Sequence, residues 1–236
     1  MLALFDLHVH TVRGSSDSSL TPQELIKSAQ AIGLDGVCLT EHSGGWEPQD
    51  LEREFGDAGL RVYRGLEVDT DMGHILVLGL HRYVAGINKA AELRKVADDA
   101  GGVMISAHPF RNLFNRPPYN VNLLFGNSGP LPTSPVDAAR HPVFRIVDAV
   151  EAANGSNTER ENLFALDVAN HLGLTSTGGS DAHSTHGLGN CVTDIDGDVR
   201  SEADLIEALK AGACSPAQGL HVGEFRPFGR GQWETS

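Results

Sequence analysis

The sequence has Asp6-Leu7-His8-Val9-His10 directly after an apolar run at residues 2–5. The apolar run predicts a first β-strand, and side chains two residues apart on a strand point to the same face of a sheet. Two neutral imidazoles at the end of a strand form a pair that can bind a metal ion. The stretch therefore predicts a strand that carries the first two ligands of a metal site.

A short apolar run that leads into His, Asp or Glu recurs further along the chain. The later copies are Thr40-Glu41-His42, Gly65-Leu66-Glu67, Ser106-Ala107-His108, Ala149-Val150-Glu151 and Gly179-Ser180-Asp181-Ala182-His183. Divalent ions need several ligands that converge from different elements, with carboxylates to hold and bridge the ions. In a barrel the C-terminal ends of the strands form one ring, so these distant residues can meet there. The pattern therefore predicts a metal centre.

Strand-like apolar segments alternate with helix-like segments along most of the chain. Strands are predicted at 3–9, 36–40, 61–67, 74–80, 102–107, 146–151 and 174–177. Helices are predicted at 22–32, 48–55, 87–100, 158–172 and 201–211. This alternation indicates an α/β fold built from parallel β/α units. Seven strands with functional residues at their C-terminal ends favour a barrel over an open sheet.

We predict one barrel domain over residues 1–222, with a C-terminal tail at 223–236. Within the domain, the segment 111–142 is rich in proline and fits neither the helical nor the strand period. Long loops inside compact domains are usually functional or disordered. Because this loop leaves the strand end that carries His108, we expect it to lie over the site, and a passive surface loop is the alternative.

Composition and charge narrow the class of protein. The 236 residues carry a net charge of −13 with neutral histidines, which argues against a long nucleic acid as partner. Two or three bound divalent ions would add roughly four to six positive charges at the site, so an anionic substrate fits. The three cysteines, without C-x-x-C spacing, predict neither a disulfide framework nor a thiolate zinc site. No long apolar run or signal peptide is evident, so we expect a cytoplasmic protein without a membrane partner.

The motifs quoted above resemble those of the polymerase and histidinol phosphatase (PHP) family. The resemblance runs from about residue 4 to about residue 195, and residues 108–183 are also similar to the PHP-associated segment of many bacterial and archaeal proteins. It implies a distorted seven-stranded (β/α)7 barrel with the metal site at the C-terminal ends of its strands. It also implies two or three divalent ions (zinc, manganese or iron) and hydrolysis of phosphoesters.

Position by position, the resemblance implies nine metal ligands. They are His8, His10, Asp17, His42, Glu67, His108, Glu151, Asp181 and His183. The first ion would be held by His8, His10 and Asp181, and Glu67 would bridge it to the second ion. Glu67, Asp181 and His183 are the residues implied to act in catalysis.

The remaining ligands complete the second and third ions. The resemblance implies that His108 and Glu151 complete the second ion, and that His42, His183 and Asp17 hold the third. Some family members have His where this chain has Glu151, and the change favours harder ions such as manganese or iron.

Three acidic positions have further interpretations. Asp17 matches the family by its spacing, since it lies four residues before Thr21-Pro22. Glu41 stands where the family usually has Asp, and both an outer residue that orients a ligand and a weak direct ligand stay open. Asp6 is expected to support His8 or His10 from behind, and a buried structural carboxylate is the alternative.

Four residues are candidates for contact with substrate. Arg13 and Arg111 each lie three residues past a predicted histidine ligand, and a guanidinium can bind a phosphate bidentately. His74 could line the pocket or be a core histidine, and His186 lies in a glycine-flanked loop after the last motif. For both arginines, a solvated loop position is the alternative.

We predict a metal-dependent hydrolase that releases phosphate from a small phosphomonoester or a nucleotide. A hydroxide that bridges the ions at Glu67 would attack phosphorus, and His183 or a metal-bound water would protonate the leaving group. Three alternatives stay open: an exonuclease on short oligonucleotides (5′-3′ or 3′-5′), a carbamate, ester or amide hydrolase on the same site, and a non-catalytic metal-binding regulatory domain.

Overall fold

One mixed sheet organises the part of the chain that the computed structural model describes, residues 2–115, 121–126 and 130–229. Its strands are β1 (Leu2–Val9), β2 (Gly36–Glu41), β3 (Arg61–Thr70), β4 (Gly73–Leu78), β5 (Val103–Ser106), β6 (Ala149–Asn154), β7 (Thr175–Gly179), β8 (Cys191–Asp196), β9 (Cys214–Gln218) and β10 (Arg226–Pro227). Their order across the sheet is β10-β9-β8-β1-β2-β3-β4-β5-β6-β7. The seven predicted strands are all present, and the predicted α/β class is confirmed.

The five predicted helices begin and end close to their predicted limits. The helices are α1 (Pro22–Ile32), α2 (Pro48–Phe55), α3 (Ala90–Asp99), α4 (Pro135–Ala138), α5 (Glu159–Leu172) and α6 (Glu202–Ala211), and α4 is a short helix that was not predicted. Helix α1 has the expected capping box, in which Thr21 and Glu24 satisfy each other's backbone amides. Gly33 ends it with a φ of 77°, the left-handed conformation that glycine adopts without a steric penalty.

The sheet is not made of parallel β/α units throughout. Strands β1, β2 and β3 pair in parallel, as do β5, β6 and β7, but β4 is antiparallel to both β3 and β5. The prediction of parallel units is wrong at β4 because only Asp71 and Met72 separate it from β3. A parallel crossover needs about a dozen residues or more, whereas a hairpin needs two.

The curled sheet closes on itself where β7 lies against β1 and β8, and the hydroxyl of Thr193 on β8 bonds to the backbone of Gly178 on β7 at 2.7 and 2.9 Å. A parallel bridge pairs Val9 with Ala182, just past β7, and the amide of His10 donates to the carbonyl of Ala182 over 3.0 Å. The carboxylate of Asp6 accepts a bond of 2.9 Å from the amide of Ser180. These contacts bring the first and last predicted motifs side by side and give a distorted barrel.

The hydrophobic core consists mainly of three buried clusters that pack against the sheet. Helices α1 and α2 pack on β1 to β3, and α3 and α5 pack on the segment from β3 to β6. Leu205 and Leu209 of α6 join a buried cluster with side chains of β1, β4 and β5. These faces are apolar. Most of the buried charged side chains lie instead at the strand ends that carry the motifs, as do His8, Glu67 and Asp181.

The predicted loop and tail contain structure of their own. Helix α4 lies within 111–142, while residues 116–120 and 127–129 of this loop lie outside the described residues. The side chain of Asn122 donates to the carbonyls of Pro109 and Arg111, which ties the loop to the segment after β5. In the predicted tail, β10 pairs with β9 and Phe228 is buried, and residues 230–236 lie outside the described part. Among the described helices, none has the length and apolarity to cross a bilayer.

Candidate metal centre

Two imidazoles from β1 lie at the middle of the site. His8 and His10 are fully buried, and their Nε2 atoms make no hydrogen bond to any described residue. Each Nε2 lies 3.3–3.5 Å from the same two oxygens, Oε2 of Glu67 and Oδ1 of Asp181. Buried polar atoms without partners are uncommon, so this arrangement needs an explanation.

The spacing of these atoms fits a divalent ion. Metal–nitrogen and metal–oxygen bonds of about 2.0–2.1 Å place two neighbouring ligands of one ion about 2.8–3.4 Å apart in octahedral or tetrahedral geometry. The separations around His8 and His10 are close to that range, and His8, His10 and Asp181 each offer an atom to one compact group. The residues present therefore fit the ion that the sequence predicts.

Glu67 on β3 stands between two sets of imidazoles. Its Oε2 faces His8, His10 and, at 3.4 Å, Nδ1 of His42. Its Oε1 lies 2.8 Å from Nε2 of His108 and 2.8 Å from Nδ1 of His74. Burial opposes ionisation of Glu67, but His8 and the hydrogen bonds from His108 and His74 outweigh it and hold its pKa well below the usual range.

A second group of ligand atoms forms around Glu67 and extends to the imidazole on its Oε1 side. It contains His8, Glu67 and His108, all buried. Burial lowers the pKa of His108, which favours the neutral imidazole that metal ions bind. The β3–β4 hairpin adds His74, because its register places His74 opposite Asp69 and next to Glu67. The structure therefore brings His74 into the cluster.

A third group lies toward solvent. His10, His42 and His183 offer nitrogens to one compact set, and the His10 ring stacks on those of His42 and His183 at centroid distances of 4.6 and 4.3 Å. Oδ2 of Asp17 lies 3.5 Å from Nε2 of His42 and 3.3 Å from Nε2 of His183. Because Asp17, His42 and His183 are partly exposed, this is the accessible side of the cluster.

Two predicted ligands adopt unusual backbone conformations. Asp181 has a φ of 55° and His108 a φ of 30°, in the region that side chains other than glycine rarely adopt. Such conformations cluster at functional sites, where the surrounding structure maintains them. Burial opposes ionisation of Asp181, but His8, His10, His108 and Arg111 outweigh it and keep its pKa well below the usual range.

Glu151, which the resemblance implies as a ligand of the second ion, lies behind the ring of His8. Its Oε1 is 2.9 Å from Nδ1 of His8. Its Oε2 accepts from the backbone amide of His108 at 2.8 Å and from the side-chain amide of Asn154 at 3.0 Å. Both oxygens are therefore occupied behind the ring of His8, where they fix the orientation of that ring.

Glu41 also lies behind a ligand. Its carboxylate accepts hydrogen bonds from Thr11, from Nε1 of Trp46 and, at 2.6 Å, from the hydroxyl of Ser15. The oxygen of Ser15 in turn lies 3.0 Å from Nδ1 of His10. Glu41 thus reaches His10 through Ser15, and this geometry supports the first of its two interpretations.

Asp6 contacts backbone amides rather than imidazoles. It accepts from the amides of His8, Ser180 and Gly189, and burial raises its pKa to about 6. Its carboxylate therefore connects the main chain of β1 with the loop that carries Asp181.

The four candidate substrate contacts are placed differently from one another. His74 and Arg111 lie at the cluster, where Arg111 donates to the carboxylate of Asp181. Arg13 does not, because its guanidinium pairs with Asp50, donates to the carbonyl of Gly45 and lies over the ring of Trp46. His186 lies in a separate groove with Ile32 and His221, and is not brought to the cluster.

Three polar residues of the site were not singled out in the sequence. Ser15 contacts His10, while Asn154 and Asn157 bind the guanidinium of Arg111 at 2.8 and 2.9 Å. Ser15 lies in the loop after the first motif, and both asparagines follow the Glu151 motif closely. Short polar residues just after a strand that carries a ligand are the signal that could have identified them.

Comparison with known protein families gives two matches. A PHP domain model matches residues 6–127, which are 122 of the 236 residues, and a PHP-associated model matches residues 159–214. Together they include every predicted ligand except Glu151, which lies in the gap between them. No curated protein sequence matches the chain.

Solved structures share the fold at low sequence identity. PsfC from Pseudomonas syringae PB-5123 aligns with a TM-score of 0.63 and 19% identity over 92% of each chain. A Bifidobacterium adolescentis protein, named as a candidate metal-dependent phosphoesterase, gives 0.55 and 19% over 87% of this chain and 95% of its own. PfuEndoQ, a lesion-specific endonuclease from Pyrococcus furiosus, gives 0.56 and 15% over 96% of this chain but 58% of its own. At these identities the likeness establishes the fold alone.

Proposed function

The chain belongs to the PHP family of metal-dependent phosphoesterases, and from that premise we propose that it releases phosphate from a small phosphomonoester or a nucleotide. The observation that carries the proposal is the position of Glu67. One buried carboxylate faces imidazoles on both of its oxygens, which is the arrangement expected of a group that bridges two ions.

We assign the first ion to His8, His10 and Asp181, with Glu67 as the bridge. Their atoms have the spacing of ligands on one ion, and the two unpartnered Nε2 atoms support the assignment. Bound divalent ions would supply Lewis-acid charge for the phosphoryl oxygens and lower the pKa of water.

For the second ion we revise the set implied by the resemblance. His74 replaces Glu151, because Nδ1 of His74 and Nε2 of His108 both lie 2.8 Å from Oε1 of Glu67. The oxygens of Glu151 are occupied elsewhere, so its proposed role is to orient His8. For the third ion, the contacts among Asp17, His42 and His183 support the original set.

Two residues are proposed to act on the substrate itself. The Nη2 group of Arg111 reaches the carboxylate of Asp181, so its guanidinium borders the first ion and can donate to a phosphate oxygen there. His183 lies on the accessible side, where it can donate a proton to the leaving oxygen. We propose a small substrate because His8, His10 and His108 are buried, which leaves little room at the cluster for a large one.

The proposal is tested by Glu67→Gln, with Glu202→Gln as the matched control. Glu202 also pairs with an imidazole, that of His81 at 2.8 Å, but outside the cluster. We expect Glu67→Gln to lose at least one ion per chain and to reduce phosphate release more than about 100-fold, the upper end for residues that only support ligands. Elemental analysis and a phosphate assay measure both effects. Unchanged metal content in Glu67→Gln would rule out the bridging role.

A further inference from the structure

We propose that Asn154 is a positioning residue that couples Arg111, on the substrate side, to the metal ligand His8. The inference rests on the proposed function, since it takes Arg111 as a phosphate contact and His8 as a ligand. Asn154 is fully buried at the end of β6, and among the described residues its side chain makes no hydrogen bond to an imidazole. Its effect is therefore exerted through its neighbours.

The side-chain amide of Asn154 joins two functional groups. Its Oδ1 accepts from Nη2 of Arg111 at 2.8 Å and from the amide of Ser156 at 2.9 Å. Its Nδ2 donates to Oε2 of Glu151 at 3.0 Å. The orientation of the amide is fixed, because Arg111 and the Ser156 amide can only donate while an ionised carboxylate can only accept.

Glu151 passes this contact on to His8. It is buried, its Oε2 also accepts from the amide of His108 at 2.8 Å, and its Oε1 lies 2.9 Å from Nδ1 of His8. Since the carboxylate accepts, Nδ1 carries a hydrogen, and Nε2, which faces Glu67 and Asp181, is the nitrogen left to bind an ion. Outer carboxylates of this kind orient metal-binding histidines and increase their basicity.

The contacts form a closed ring that includes two of the residues assigned to the first ion, His8 and Asp181. Arg111 donates to Asn154 and to Asp181, Asn154 donates to Glu151, and Glu151 accepts from His8. The ring is completed by Nε2 of His8, which lies 3.5 Å from Oδ1 of Asp181. Asn154 thereby contacts the outer partners of two ligands of that ion, Arg111 beside Asp181 and Glu151 behind His8.

The local backbone makes this arrangement possible. Residues three apart on a regular strand point to opposite faces, yet Glu151 and Asn154 meet. The register of β6 against β7 shifts between Glu151 and Ala153, and such a bulge redirects a side chain. Asn162 of α5 then holds Asn154 in place, accepting from its amide at 3.1 Å and donating to its carbonyl at 3.0 Å.

Asn157 provides a matched control because it shares only one of these contacts. Its Oδ1 accepts from Nε of Arg111 at 2.9 Å, as Asn154 accepts from Nη2, but its side chain makes no bond to Glu151. Removing the Asn157 amide therefore perturbs Arg111 alone. Removing the Asn154 amide perturbs Arg111 and the support of His8 together.

The experiment compares Asn154→Ala, Asn154→Asp and Asn157→Ala by manganese titration of chelator-treated protein and by binding of inorganic phosphate to the reloaded protein. We expect manganese affinity to fall about 10- to 100-fold in both Asn154 variants, the range for lost outer support of a ligand. In Asn157→Ala we expect it to stay within about twofold of wild type, with weaker phosphate binding. Asn154→Asp keeps the acceptor for Arg111 but places an oxygen against Glu151, so its phosphate binding should fall less than that of Asn154→Ala.

Folding is checked by circular dichroism, and Glu151→Gln is the variant to use if both Asn154 variants fail to fold. Glutamine has nearly the same volume as glutamate, but its NH2 group can only donate. That group must face a donor, either Nδ1 of His8 or the amides of His108 and Asn154, so we expect the same loss of manganese affinity. Manganese binding equal to wild type in these variants, or an equal loss in Asn157→Ala, would overturn the coupling. A wild-type protein that binds no manganese, zinc or iron would instead contradict the proposed function.

Discussion

At the residue scale, the cluster depends on how one nitrogen of each imidazole is held. Nδ1 of His8 donates to Glu151, and Nδ1 of His10 donates to Ser15, whose hydroxyl is itself directed at Glu41. Nδ1 of His183 donates to the carbonyl of Asp181. In each case Nε2 is the nitrogen left to bind a metal ion, which it does when the imidazole is neutral.

The sequence could identify most of the candidate ligands and one of their outer supports, Glu41, but not the support that Glu151 gives to His8. A histidine or carboxylate at a strand end has a recognisable position, so the first ligand set followed from motifs. Glu151 has the same signature and yet lies behind His8, because the β6 bulge and the donors around it decide where its oxygens point. His74 lacked the signature, since it lies at the start of a strand rather than at its end.

Asp181→Asn tests the first ion at this scale. Asparagine tolerates the left-handed conformation of residue 181, so the fold should survive. The neutral amide cannot replace the carboxylate that faces His8 and His10, and we expect loss of an ion and a fall in turnover of more than about 100-fold. Asp99→Asn, at the exposed end of α3, is the control. Near-normal turnover in Asp181→Asn would contradict the assignment.

The three cysteines give a prediction about the reactivity of their thiols. Burial raises the pKa of Cys191 and of Cys214 to about 12 and that of Cys38 well above its usual range. The thiolate is the reactive and metal-binding form, and a raised pKa makes it scarce at neutral pH. We expect slow labelling by a thiol reagent at pH 8 in the native protein, faster labelling as pH rises, and rapid labelling in denaturant. Rapid native labelling at pH 8 would show that burial does not protect them.

At the element scale, the site exists because β1 and β7 approach closely. The limits of the helices and strands could be predicted from periodicity and caps, as at α1, because those signals are local. Three features could not be predicted in this way: the curl of the sheet, the antiparallel β4 and the added strands β8 to β10. They depend on a two-residue hairpin and on pairing between segments far apart in sequence, to which periodicity is insensitive.

Gly179 tests this closure. A Cβ there would lie 2.6 Å from Cβ of His8 and 2.7 Å from Oε1 of Glu151, so β7 would have to move away from β1. We expect Gly179→Ala to lower the free energy of unfolding by about 1–3 kcal/mol, as for other overpacked sites, and to weaken metal binding.

Gly187 supplies the matched control for denaturant unfolding. Its Cβ would meet only Ala182, at ordinary contact distances of 3.6 and 3.7 Å. We expect Gly187→Ala to change stability by about 0.5 kcal/mol or less, as at uncrowded positions. Equal stability of the two variants would mean that the β1–β7 approach is not close.

At the scale of the whole molecule, charge and access together favour a small anionic substrate. The chain carries a net charge of −13, which opposes a long nucleic acid, while bound ions and Arg111 would make the site itself attractive to phosphate. Access is from the side of Asp17, His42 and His183, since the other ligands are largely buried. The proposed substrate class rests on this combination and not on the fold, which supports many reactions.

The most direct test is turnover by protein of measured metal content, with manganese, zinc and iron each added back. The substrates are phosphomonoesters, mononucleotides, nucleoside bisphosphates, short oligonucleotides, and carboxyl and carbamate esters. We predict two or three ions per chain and metal-dependent phosphate release, fastest from a phosphomonoester or a nucleotide. Cleavage of a carbamate or ester by the metal-loaded protein, without phosphate release from any substrate, would contradict the proposed reaction.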